Sequence, residues 1–107
     1  MFARKVSIHL KPESLGQFTK TFENDVMPLL RKQKGFKDEI TFATPGSRDV
    51  LAISLWDTKQ NAEAYDATAY KEILTMLGTV TDGAPKVALT EVLHTTFSHE
   101  HANVSAA

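Results

Sequence analysis

The stretch Asp49–Tyr70, DVLAISLWDTKQNAEAYDATAY, constrains the fold more than any other, because it reads as one strand running straight into one helix. Leu51, Ile53 and Leu55 alternate with Ala52, Ser54 and Trp56, so the two sets point to opposite faces of a strand. Asp57 or Thr58 then caps a helix, with Gln60 or Asn61 three residues later in an approximate capping-box pattern. Trp56 is the chain's single tryptophan. It falls at the last strand position, where strand ends meet helix starts and pockets commonly form.

The flanking segments supply the remaining elements. Phe2–Leu10 alternates, with Val6, Ile8 and Leu10 on one face and Lys5, Ser7 and His9 on the other, which predicts strand 1. After Pro12, Glu13–Lys32 places Leu15, Phe18, Phe22, Val26, Leu29 and Leu30 at helical spacing. Pro28 lies inside that helix. It removes one backbone hydrogen bond and crowds a carbonyl four residues back, so a kink or restart is expected near Val26. Gly35 closes the helix after the basic run Arg31–Lys34. Strand 2 is expected at Phe36–Thr44, with Phe36, Ile40 and Phe42 on one side. The turn Pro45-Gly46-Ser47 makes a hairpin with strand 3 at Asp49–Asp57. Helix 2 is expected from about Thr58 to Leu77, with Thr68 as the cap of a second segment. Strand 4 is expected at Ala84–Phe97. Residues 1–97 then form one domain, and the small polar residues 98–107 a flexible C-terminal tail.

The order β-α-β-β-α-β is the ferredoxin-like α+β arrangement, a four-stranded antiparallel sheet with two helices on one face. Strands 3 and 4 carry more apolar surface than two helices can cover. A homodimer with sheets stacked face to face is therefore expected. The alternation leaves open which face of each strand meets the helices. A chain of 107 residues with a formal charge of −1 offers no field for nucleic acid or an anionic membrane, so neither is an expected partner. The absence of cysteine excludes disulfides and thiolate chemistry. MFARKVSIHL has no long apolar run of the signal-peptide kind, and a cytoplasmic location is expected.

Five residues stand out as site candidates. Trp56 is suited to stacking on a planar ligand, and equally to packing beneath helix 2. Tyr65 and Tyr70 are phenolic donors five residues apart, so at most one is expected to face a pocket. His9 is the candidate base, since imidazole accepts protons near neutral pH, and Ser7 shares its face. His94, His99, Glu100 and His101 lack the rigid convergence that a metal site requires, so no metal is expected. There is no glycine-rich phosphate loop and no nucleophile elbow.

Three segments, HLKPESLGQF, MPLLRKQKGF and SLWDTKQNAEAYDATAYKEI, together resemble the antibiotic biosynthesis monooxygenase family of the dimeric α+β barrel superfamily. The resemblance runs from Phe2 to Phe97. It implies a dimeric α+β barrel and, for the oxygenase members, oxidation of phenolic or quinol-like aromatics without metal or flavin. His9 would then be the base, with Trp56, Tyr65, Tyr70 and Ser7 around a small aromatic or apolar ligand and no cofactor. A non-catalytic dimer that binds a small ligand is the alternative. Haem-degrading members use an Asn on strand 1, a Trp at the end of strand 3 and a His on helix 2. Here only the Trp is present, as Trp56, which speaks against haem degradation.

Overall fold

The computed structural model describes residues 1–97. The expected tail, with His99, Glu100 and His101, lies outside the described residues. Along the chain come β1 (Phe2–His9), α1 (Leu15–Thr21), a π-helical turn (Phe22–Val26), α2 (Met27–Arg31), β2 (Phe36–Ala43), β3 (Asp49–Trp56), α3 (Lys59–Ala67), α4 (Ala69–Leu77) and β4 (Lys86–Glu91). The sheet order is β2-β3-β1-β4 with every neighbouring pair antiparallel, the ferredoxin-like topology. No described helix is long and apolar enough to cross a membrane.

The even-numbered residues of β1 and β3 meet the helices. Val6, Ile8, Val50, Ala52 and Trp56 pack in one core with Phe18, Phe22, Val26 and Leu30 from the first helical arm and Tyr65, Ile73 and Leu77 from the second. Each large apolar side chain buried there contributes about 1.5–3 kcal/mol.

Both expected helices are broken, each for a local reason. Pro28 stands in the first turn of α2, where a missing N–H is harmless. Just ahead of it the chain widens into the π-helical turn, and the Met27 N–H reaches back to the Phe22 carbonyl. In the second arm, Thr58 caps α3 by accepting from the Asn61 N–H at 3.1 Å. Thr68 behaves differently from the expected cap. Its hydroxyl donates to the Ala64 carbonyl at 2.7 Å, closing α3, and makes no capping bond to α4.

Two strand expectations change. β4 ends at Glu91 rather than continuing to Phe97. Beyond it, the Val92 N–H bonds to the Met1 carbonyl at 2.9 Å, and the neighbouring strand has run out of backbone to pair. In β2, the register shifts between Phe36 and Asp38. This bulge sends Phe36 to the helix side, edge-on to Trp56, while Ile40 and Phe42 face the open side. Phe36, Ile40 and Phe42 therefore do not share a face.

Candidate active site

The register aligns a polar row on the helix-facing side of the sheet. Ser54 of β3 stands opposite Arg4 of β1 on one side and Glu39 of β2 on the other. Flanking residues on that face are the apolar Val6, Ala52 and Trp56. Arg4 and Ser54 are thus buried within the core, while Glu39, on the edge strand β2, is half-buried.

Arg4 is only 3% exposed. Its Nε and Nη2 groups donate to Asp66 Oδ1 at 3.2 and 2.5 Å. Its guanidinium carbon lies 3.8 Å from the centroid of the Tyr70 ring and 5.0 Å from that of Tyr65, within cation–π range of both. Burial pushes the Glu39 carboxyl above its ordinary value, opposed by the hydrogen bond from Thr41 and assisted by the charge of Asp38. The Thr41 hydroxyl donates to Glu39 Oε2 at 2.5 Å. Burial also holds the Tyr65 phenol far above its usual range, with the Arg4 charge working against it. Tyr65 is therefore a hydrogen-bond donor at neutral pH and not a base.

These groups wall one cavity of about 40 Å³ between the sheet and the helices. Arg4, Glu39, Ser54, Tyr65 and Tyr70 supply its polar lining, and Val26, Ile73 and Leu77 are among its apolar walls. Tyr65 and Tyr70 both line it, against the expectation of one at most. The reason is the break at Thr68. The two tyrosines ride on different helices, α3 and α4, so their spacing is not that of a single helix.

Trp56 is fully buried and stacks on Tyr65 with ring centroids 4.8 Å apart. It supports the tyrosine from behind and is not among the residues lining the cavity. His9 and Ser7 lie on the opposite face of the sheet, at odd positions of β1. There they border a separate open hollow with Phe42, Asp49 and Leu51. His9 Nδ1 is 2.7 Å from Asp49 Oδ1, and this hydrogen bond holds the Asp49 carboxyl below its ordinary value. The expected grouping of His9 with Trp56 and Tyr65 is therefore not formed within one subunit, because strand alternation places them on opposite faces. Among the described residues, no three of His, Cys, Asp or Glu gather closely enough to hold a metal ion.

Arg4, Glu39, Ser54 and Asp66 were not singled out by the sequence patterns. One signal was legible: Arg4 shares parity with Val6 and Ile8, so it puts a charge on the most apolar face of β1. Glu39 gave no such signal, since the bulge before it hid its face.

No protein-family model matches the sequence, and neither does any curated protein. Solved structures do match in fold. SnoaB, a cofactor-independent oxygenase from Streptomyces nogalater, superposes with a TM-score of 0.74 at 13% identity, over 91% of this chain and 97% of that one. A monooxygenase from Streptomyces coelicolor, in complex with the ligand nanaomycin D, gives 0.74 at 17% identity, over 88% of each chain. An antibiotic biosynthesis monooxygenase gives 0.71 at 12% identity, over 88% of this chain and all of its own. The chain has the fold of these antibiotic biosynthesis monooxygenase structures. At such identities the likeness is one of fold.

Proposed function

We propose that this protein is a cofactor-independent monooxygenase of the antibiotic biosynthesis type, acting on a small electron-rich aromatic held in the inner cavity. The observation that carries this reading is the half-buried Glu39 carboxyl on the wall of a largely apolar cavity that Tyr65 and Tyr70 also line. Such a reaction draws its electrons from the substrate. The protein's task is to remove a proton, orient the ring and keep water out. Glu39 is the base, its proton affinity raised above the ordinary carboxyl value by burial. Tyr65 and Tyr70 donate to the substrate's oxygens. With an anthrone, the ring methylene loses two hydrogens and becomes a carbonyl. One atom of dioxygen enters the product and the other leaves as water, so no external reductant is consumed.

The cavity as it stands has room for a few water molecules. Admission of a ring requires movement of α4, which carries Tyr70, Ile73, Leu74 and Leu77 of the lining. Haem does not suit the site, because no histidine is among its lining residues.

We also infer that two copies pack their open sheet faces together. Ile40 and Phe42 are 43% and 48% exposed there, opposite the half-buried Ile53 and Leu51 of the next strand. An apolar stripe of this kind on the side away from the helices fits a second sheet.

Oxygen uptake with anthrone tests the catalytic reading. One dioxygen should be consumed per anthrone oxidised. Glu39→Gln should lower the rate about 100-fold or more, while His9→Ala should leave it close to wild type. Absence of uptake with anthrone and quinol substrates, or an undiminished rate in Glu39→Gln, overturns it.

A further inference from the structure

We propose that Arg4 is the seat for the oxyanion of a planar aromatic ligand, and that Asp66 is an internal stand-in which the ligand displaces. This names a ligand class for the cavity of the oxygenase reading and rests on that reading only for the location.

The argument begins with an asymmetry. Both hydrogen bonds that the Arg4 guanidinium makes among the described residues go to a single oxygen, Asp66 Oδ1. Among the described residues, Nη1 of this almost fully buried group has no hydrogen-bond partner. A guanidinium presents five N–H donors in a fork that suits two oxygens of a carboxylate. Two donors spent on one oxygen leave that fork underused. Burial makes the unused donors costly, so a better-placed anion is favoured.

Asp66, in contrast, has a side chain that is 53% exposed. It can turn into water and be hydrated there at little cost. Release of the pair is therefore cheap for the carboxylate and costly for the arginine, unless a second anion arrives. Arg4 borders the inner cavity and also the outer groove that Asp66, Tyr70 and Leu74 share. An aromatic anion entering by that groove meets Arg4 where Asp66 now sits. The guanidinium it meets is already held over the face of Tyr70, 3.8 Å from the ring centroid. The carboxylate exchange also releases the C-terminal end of α3 from Arg4, next to the Thr68 break that precedes α4.

The test is equilibrium binding of 1-naphthoate and of its uncharged isostere 1-naphthamide, in the absence of oxygen. Emission of Trp56 is the readout, since its ring stacks on the cavity residue Tyr65. Wild type should bind the carboxylate about tenfold or more tighter than the amide. Asp66→Asn, a half-exposed substitution that keeps the shape, should tighten naphthoate further and leave the amide unchanged. Equal affinities in wild type, or naphthoate binding that is unchanged or weakened in Asp66→Asn, overturn the proposal. Naphthoate binding as described without oxygen uptake on any substrate would remove only the oxygenase reading. Oxygen uptake with no preference for the carboxylate would remove only the exchange at Arg4.

Discussion

The indole N–H of Trp56 donates to the Ser54 hydroxyl at 2.8 Å, two residues back on the same strand, and both groups are buried. The serine thereby satisfies the tryptophan while standing between Arg4 and Glu39 in the sheet. Ser54→Ala removes the only acceptor that this indole has among the described residues. The expected cost is about 1–3 kcal/mol of stability, the range for an orphaned buried donor. Urea denaturation followed by Trp56 emission measures it, and a change within about 0.3 kcal/mol would show that the bond adds nothing net.

Under the proposed reaction, Glu39 links activity to pH and stability together. Its folded-state proton affinity is raised from the ordinary value of 4.5. Between the unfolded and folded values, the native state holds a proton that the unfolded state has released. Stability from this group is therefore fully present below about pH 4.5 and declines as pH rises through the folded value. Glu39→Gln removes the penalty. It should raise the melting temperature at pH 7 and have little effect at pH 4, while abolishing the rise in turnover expected as Glu39 loses its proton. Thermal melts at the two pH values check the first statement, and a pH–rate profile the second.

Gly35 turns the chain with φ of +82°. A Cβ added there would overlap Asp57 Oδ1 and lie 2.5 Å from Asn61 Nδ2. Those two atoms are hydrogen-bonded to each other at 2.8 Å at the start of α3. Gly35→Ala therefore strains the backbone and also pushes on the helix start. A loss of roughly 2–3 kcal/mol is expected, and chemical denaturation measures it.

The open face predicts assembly. Ile40→Lys combined with Phe42→Lys should convert dimers to monomers at micromolar concentration, with the helical signal of each subunit retained. Sedimentation velocity distinguishes the two states. A wild-type protein that sediments as a monomer at that concentration would remove the dimer reading.

Much of the architecture was legible because side-chain period and backbone geometry are the same fact seen twice. The alternation around Val6 and Ile8, and around Leu51 and Ile53, located two strands. The helical spacing of Phe18, Phe22 and Val26 located the first arm. Pro28 announced the break before α2. The orientation of the strands was not legible. In β3 the bulkier aliphatic set, Leu51, Ile53 and Leu55, turns away from the subunit's own helices, and smaller Ala52 and Ser54 turn towards them. Ordinary hydrophobic-inside reasoning gives the opposite answer when both faces are to be covered. The bulge near Lys37 compounded the problem by inverting the remainder of β2, which brought Glu39 into the cavity wall and took Ile40 out. The charged row could be seen only after those two facts were known.

The break at Thr68 separates two kinds of wall. Arg4, Glu39 and Ser54 are fixed in the sheet by paired strands, whereas Tyr70, Ile73, Leu74 and Leu77 all travel on the nine-residue α4. The polar row and most of the apolar wall are thus written on different parts of the chain, with Tyr70 the polar lining residue that rides on α4. Substitutions of Ile73, Leu74 and Leu77 on that one short cylinder can enlarge, narrow or reshape the chamber for a new guest while Arg4, Glu39 and Ser54 keep their places, which makes this apolar flank of α4 the natural target for redesigning what this scaffold accepts.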